Sequence, residues 1–177
     1  IYTLSLHDAL PILASEPDLI IIHRGGNDFS HESYAKLTTN YFNNPDWDYP
    51  ASDTVTGGYG FKEGYALTIK KLREAYPNAK IFLSTINMMK RVDYDNFPPT
   101  NGTDSLPMYN NAIREIADFF GCGVIEFDKD GITFENCRSQ GYLVEDSGMP
   151  THPTTKGHKV MGLKAIADLK AQYSPMS

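Results

Sequence analysis

The feature that most constrains the fold is the stretch 17–29, in which an apolar run ends abruptly at two glycines, an amide and an acid. The run Leu19–Ile22 is rich in isoleucine, follows Pro-Asp and is soon followed by Gly-Gly. Such a run is typical of a parallel strand that is covered on both faces. In open α/β sheets, ligands bind in the crevice at the carboxyl ends of the strands. The pattern therefore predicts a buried strand that delivers Asn27 to a pocket.

Size and charge exclude several classes of protein. With 177 residues, of which 41% are hydrophobic and 21% charged, the chain fits one globular domain with a sizeable core. The net charge of -6 and the scattered Lys and Arg residues argue against a nucleic-acid surface, which needs clustered basic residues. The longest apolar run is far shorter than the roughly 18 residues of a membrane helix. We therefore expect one acidic domain with no cofactor, no nucleic-acid partner and no membrane span.

The remaining periodicity predicts strands that alternate with helices. Helices are expected at 61–76, from a cap at Thr103 or Asp104 to about Phe120, and over about 154–171. Strands are expected at 19–22, 80–86 and 123–127, the last being the final strand, and segments 87–103 and 128–150 are expected to be irregular. A helix, a short turn and a strand in that order make a parallel crossover. The prediction is therefore an α/β fold, a three-layer α/β/α sandwich with a parallel sheet.

The predicted helices also carry expected buried faces. The first should bury the residues at 61, 65, 69, 72 and 76. The second should bury Met108, Ala112, Ile116 and either Phe119 or Phe120, and the last should turn Val160, Leu163, Ala167 and Leu169 toward the sheet.

Two blocks of the sequence resemble those of the SGNH (GDSL-like) esterase family. Gly25-Gly26-Asn27-Asp28, directly after a strand, is similar to the family's Gly-x-Asn-Asp block. Residues 149–153, followed by Gly157-His158, resemble its His-Pro and Gly-His block in the right order. The resemblance covers about residues 15–172 and implies a flavodoxin-like SGNH-hydrolase fold. It also implies Ser-His hydrolysis of a small-molecule or carbohydrate ester, by an esterase, a lipase or a deacetylase.

The resemblance assigns two catalytic residues to this chain. His152 takes the place of the general base, a role that suits an imidazole because it titrates near neutral pH. Asn27 would aim its amide NH2 at the oxyanion. The family usually places an Asp three residues before this His, where this chain has Met149. Asp146 could orient His152 if the chain bends back, or a backbone carbonyl could hold the ring, and both alternatives stay open.

The nucleophile block of the family is not found in this sequence. All twelve residues of 1–12 match the translation of a common sequencing adapter, so we expect a non-native scar there and a partial SGNH-hydrolase-like domain over 13–177. The family's Gly-Asp-Ser block and its oxyanion-hole Gly precede the Gly-x-Asn-Asp block, and only 13–16 lie between the scar and the first strand. Ser30, Ser33 and Ser147 stand in no strand-to-helix elbow. We therefore expect an inactive C-terminal portion, made poorly soluble by an uncovered strand edge.

An aromatic loop over 34–59 allows other interpretations. Trp47 and Tyr59 could line a substrate groove, or the loop could be a surface excursion with its own apolar cluster. A non-catalytic glycan-binding module would use this same loop. A metal-dependent hydrolase would use His23, Asp28, His152 and His158, although the six-residue spacing of the last two matches no common metal pattern.

Overall fold

The computed structural model describes residues 16–30, 61–88, 106–133, 135–146 and 149–173. The strands are β1 (Leu19–Ile22), β2 (Lys80–Ser84), β3 (Gly123–Ile125), β4 (Leu143–Asp146) and β5 (Met149–Pro153). The helices are α1 (Gly26–Ser30), α2 (Phe61–Ala75), α3 (Leu106–Phe120), α4 (Asn136–Ser139) and α5 (Thr155–Gln172), with a 3-10 turn at Phe127–Lys129.

Three of the strands form a parallel sheet in the order β1-β2-β3. Ile22 pairs with Leu83, and Ser84 pairs with Ile125, so each strand lies beside the one that precedes it in the chain. α2 lies in the connection between β1 and β2, and α3 in the one between β2 and β3, as parallel pairing requires. Within the described ranges, β1 has a neighbour on one side only. The predicted parallel α/β architecture is confirmed.

The side chains of the sheet alternate between two apolar clusters because successive residues of a strand point to opposite faces. The cluster on one face joins α2 and α3 to the sheet residues Ile20, Ile22, Ile81, Leu83 and Val124. The cluster on the other face joins Met161 of α5 and Leu143 of β4 to Leu19, Phe82 and Ile125. The sheet is thus the middle of three layers, with α2 and α3 on one side and α5 on the other.

α2 follows its sequence pattern closely. The five positions expected to be apolar and buried, at 61, 65, 69, 72 and 76, are all buried. Each such side chain contributes roughly 1.5–3 kcal/mol of transfer free energy. Pro77 follows the helix, and the Lys62 ammonium lies 2.6 Å from the Glu115 carboxylate, which joins α2 to α3.

The expectation of an irregular segment over 128–150 is wrong. β4 and β5 pair there as an antiparallel hairpin, and strand β3 ends at Ile125 because Phe127 already belongs to the 3-10 turn. The sequence did not indicate the hairpin because β5 contains Pro150 and Pro153. Proline normally occurs in a sheet only on edge strands, at the first residue of a strand or at bulges. Its register shift lies between Val144 and Glu145.

Three of the expected buried positions are exposed instead. On α3, Met108 is 45% exposed, whereas Phe120, one of the two alternatives expected at the end of this face, packs against the cluster under the helix. The buried stripe runs through Tyr109, Ala112, Ile113 and Ile116. On α5, Leu163 is 62% exposed, Ala167 is also exposed, and Met161 is the buried side chain that packs on the sheet. Apolar residues occur around most of α5, so its sequence selects no single face.

Candidate active site

Polar side chains collect where the three parallel strands end. His23 directly follows β1, Ser84 ends β2, and Glu126 directly follows β3. The carboxyl ends of parallel strands lie at one edge of a sheet, where α/β proteins bind ligands. This edge is therefore the place to look for chemistry in the described part of the chain.

The His23 imidazole is held by contacts from the end of β2 and from the turn after β3. Its Nδ1 lies 2.5 Å from the Ser84 hydroxyl, and the Phe127 ring meets it edge to face, with the ring centroids 5.3 Å apart. Surrounding protein atoms desolvate the ring and lower the pKa of His23, although part of the residue stays exposed. Both contacts limit rotation of the ring.

A charged network fixes the turn after β3. Arg114 of α3 donates from Nη2 to Asp128 at 2.6 Å and from Nε to Glu126 at 2.9 Å. The Thr85 hydroxyl donates to Asp128 at 2.9 Å, which ties the end of β2 to the same turn. Burial works against the ionised form of Glu126, but hydrogen bonds from Lys129 and Arg114 outweigh burial and lower the pKa of this carboxyl. The network thereby holds the segment that carries Phe127.

A buried amide on α3 fixes the segment after β2. The Oδ1 of Asn110 accepts from the backbone N–H of Ile86 at 2.8 Å, and its Nδ2 donates to the Ile86 carbonyl at 3.2 Å. Both residues are buried. The sequence analysis missed this role, although an Asn within the buried stripe of an amphipathic helix is a visible signal.

The connection from β1 to α1 depends on a glycine. Gly25 has a φ of +112°, and a Cβ there would lie 3.0 Å from Ile86 and 3.1 Å from Phe61. An L side chain would be strained at this φ and would also crowd the apolar cluster. α1 follows at once, so the backbone of Asn27 stands at the carboxyl edge of the sheet. The structure does not describe the side chain of Asn27.

The backbone on either side of Asn27 is anchored by tyrosines. The Tyr65 hydroxyl donates to the Arg24 carbonyl at 3.0 Å, and the Tyr109 hydroxyl approaches the Asp28 carbonyl at 3.4 Å. Burial raises the pKa of Tyr65 well above its ordinary value, which keeps the phenol protonated as a donor. These contacts tie the Gly25-Gly26-Asn27-Asp28 block to α2 and α3.

His152 lies in strand β5. It is exposed, pairs with Val144 and precedes the helix cap Thr154 by two residues. Asp146 pairs with Met149 and follows Val144 by two residues along β4. The register shift between Val144 and Glu145 separates these two pairs, so Asp146 lies on the strand paired with that of His152 but beyond the irregularity.

The other site residues named in the sequence analysis add little to this description of the site. Trp47, Tyr59 and Ser33 lie outside the described residues. Over the described ranges, no three His, Cys, Asp or Glu side chains are grouped so that they could hold a metal ion. The His158 ring contacts the Thr154 carbonyl at 3.1 Å. None of the helices in the described part is long and apolar enough to cross a membrane.

Acidification is expected to weaken the fold through His23. A histidine whose pKa is lowered by folding binds fewer protons in the folded than in the unfolded state. Stability contributed by the neutral ring is therefore present above about pH 6.5 and is lost as the pH falls below that value. We expect urea unfolding, followed by circular dichroism at pH 7.5 and 5.5, to show that acidification lowers the free energy of unfolding less in His23→Gln than in the wild type. His158→Gln should lose as much free energy of unfolding between the two pH values as the wild type does. Equal losses in all three chains would contradict the prediction.

Comparison with known proteins adds a family and a fold. The sequence matches the model of the GDSL-like lipase/acylhydrolase family over residues 3–160, a match that begins within the adapter-like segment. No curated protein is significantly similar to the sequence.

Three solved structures resemble the fold at low sequence identity. A protein from Lactobacillus plantarum has a TM-score of 0.64 and 17% identity, with 89% of this chain and 68% of that chain covered. The acetyl xylan esterase AlAXEase has a TM-score of 0.54 and 21% identity, with 85% and 66% covered. A peptidoglycan O-acetylesterase has a TM-score of 0.55 and 18% identity, with 87% and 37% covered. The chain thus spans between about a third and two thirds of the length of these proteins.

Proposed function

This chain belongs to the GDSL-like lipase/acylhydrolase family, and from that premise we propose that it carries the base and oxyanion parts of an ester-hydrolase site. The observation that carries the proposal is the placement of the Gly25-Gly26-Asn27-Asp28 block shortly after β1, at the carboxyl edge of the parallel sheet. The position of His152, just before the cap of the last helix, supports it further.

Each residue has a defined task in this proposal. A serine oxygen attacks the ester carbonyl, and His152 removes its proton and later returns a proton to the leaving alcohol. Asn27 donates a hydrogen bond to the oxyanion that forms, an interaction worth about 10²- to 10³-fold in rate. Water then repeats the attack on the acyl-serine, again with His152 as the base.

The orientation of His152 needs a partner because Met149 stands at the family's usual Asp position. We assign that part to Asp146, because it lies on the strand that pairs with the strand of His152. A carboxylate there would hold the imidazole in one tautomer and stabilise the imidazolium. The alternative, a backbone carbonyl, leaves a Ser-His dyad.

The nucleophile is not assigned within this chain. The sequence contains no Gly-Asp-Ser block, and no described serine stands in a strand-to-helix elbow. The 177-residue chain should therefore turn over p-nitrophenyl acetate at a negligible rate. Measurable turnover that disappears in His152→Ala but persists in His158→Ala would show that a nucleophile is present, and would contradict this part of the proposal.

The site itself can be tested without turnover. p-Nitrophenyl methylphosphonate mimics the anionic tetrahedral intermediate, and its binding can be measured by calorimetry. Asn27→Ala should weaken binding by about 10- to 100-fold, as expected for a hydrogen bond to a charged group. His152→Ala should weaken it too, whereas His158→Ala, which alters an exposed imidazole on α5, should not. Equal affinities for all four chains would contradict the proposed site.

Two similar proteins support a proposal for the class of substrate. One similar structure is an acetyl xylan esterase and another is a peptidoglycan O-acetylesterase. We therefore place an acylated carbohydrate first among the candidate substrates.

A further inference from the structure

His23 is a chemistry-bearing residue at the sheet edge to which the proposed mechanism gives no task. Ile20 and Ile22 point to the cluster under α2 and α3, so the alternation of the chain puts His23 on the face that α5 covers. Ser84 and Phe127, its partners, belong to the other two strand ends. Asn27 lies four residues further along the chain, after the turn at Gly25.

The hydrogen-bond geometry decides which ring nitrogen faces outward. Ser84 is fully buried, and its hydroxyl lies 2.5 Å from Nδ1 of His23 but 3.4 Å from the Ile22 carbonyl. The hydroxyl donates its single hydrogen to the Ile22 carbonyl and accepts from Nδ1–H of His23, which satisfies both contacts and leaves Nε2 as an unprotonated acceptor. No residue in the described part of the chain bonds Nε2, and the residue is exposed.

We propose that His23 is a specificity-determining residue of this site, whose Nε2 accepts a hydrogen bond from a hydroxyl group on the alcohol part of the substrate. The inference rests on the proposed function, which places the substrate at the same edge of the sheet. A sugar hydroxyl is a donor that such an acceptor fits. Desolvation, which lowers the pKa of His23, favours the neutral ring, in which Nε2 can accept. The preferred substrate is therefore an acylated sugar with a free hydroxyl group.

Binding of mono-O-acetylated xylobiose to the 177-residue chain tests the inference. His23→Ala should weaken binding by about three- to tenfold, the range of one neutral hydrogen bond. His23→Gln should recover part of this loss because its amide oxygen also accepts. Ser84→Ala keeps the imidazole but removes its anchor, so it should give a smaller loss. His158→Ala should bind like the wild type.

Two further readouts separate a contact from a general disturbance of the fold. Two-dimensional NMR of the ¹⁵N-labelled imidazole should show the Nδ1–H tautomer for His23, and Ser84→Ala should mix the tautomers. His23→Ala should leave the affinity for p-nitrophenyl methylphosphonate, which has no sugar, within twofold of the wild type.

The outcomes distinguish this inference from the proposed function. Unchanged sugar-ester affinity in His23→Ala, equal losses for both ligands, or the opposite tautomer would overturn the role of His23 while Asn27→Ala still weakens phosphonate binding. Phosphonate binding that neither Asn27→Ala nor His152→Ala alters would overturn the proposed function, and the role of His23 with it.

Discussion

Replacing Asn110 with alanine is expected to lower the free energy of unfolding by about 2–6 kcal/mol. The substitution leaves the N–H and the carbonyl of Ile86 without the partners they have in the fold, and both lie in the buried interior. Each unsatisfied buried group costs about 1–3 kcal/mol. Urea unfolding followed by circular dichroism would measure the loss.

The neighbouring residue provides a matched control. Asn111 is exposed, and its Oδ1 accepts from Arg114 at 3.2 Å on the surface of the same helix. Asn111→Ala should therefore change stability by no more than about 0.5 kcal/mol. Asn110→Asp keeps an acceptor for the Ile86 N–H but loses the donor and buries a carboxylate, so it should also destabilise strongly. Similar stabilities for the 110 and 111 variants would show that the amide pair is unimportant.

Gly157→Ala is expected to destabilise the chain by about 3 kcal/mol, at the upper end of the range for overpacking. A Cβ at this position would lie 2.2 Å from the Tyr142 carbonyl oxygen and 3.2 Å from Pro153. The obstructing oxygen is backbone and belongs to the segment that enters the β4-β5 hairpin, so the hairpin must move away from α5. Because His152 is part of that hairpin, binding of the phosphonate should fall as well.

A second glycine in the same helix separates sterics from helix propensity. A Cβ on Gly162 would meet nothing within 4 Å among the described residues. Gly162→Ala should therefore stabilise the chain by roughly 0.5–1 kcal/mol, the usual gain of Ala over Gly inside a helix. If Gly157→Ala and Gly162→Ala both lower the stability, alanine is unfavourable in this helix for a reason other than the contact with Tyr142.

The sequence predicted the elements whose pattern is set by the sheet. The positions of β1, α2 and β2 are confirmed within two residues. The expectation that β1 is a buried strand is wrong, because its residues are half-buried and Ile21 is 38% exposed. The hairpin was missed because its pairing depends on contacts that no local pattern reveals. One of them is the hydrogen bond that the backbone N–H of Thr154 donates to the Tyr142 carbonyl at 2.8 Å. α5 was found with only half of its expected face: Val160 and Leu169 pack against the cluster with Met161, whereas Leu163 is exposed. Leu163 and Ile166 put apolar side chains on the exposed side of the helix, so the pattern did not single out the buried side.

The candidate site also has one part that could be predicted from the sequence and one part that could not. Asn27 and His152 were proposed from short blocks, which specify residue types at fixed spacing and so can be read from the chain. The contact of His23 with Ser84 joins residues 61 positions apart in the sequence, and no local pattern encodes it. Polar residues directly after each buried strand were the available signal for this edge of the sheet.

The order of the strands has a consequence for the chain as it leaves the ribosome. β1, β2 and β3 pair with sequential neighbours, so the sheet and the cluster under α2 and α3 can form once residue 125 has emerged. Phe82 and Ile125 on the opposite face must wait for Met161 of α5. At about 5–20 residues per second, making the stretch up to residue 173 takes roughly 2–10 s. During that interval the nascent domain presents an apolar surface, which is the kind of surface that chaperones bind.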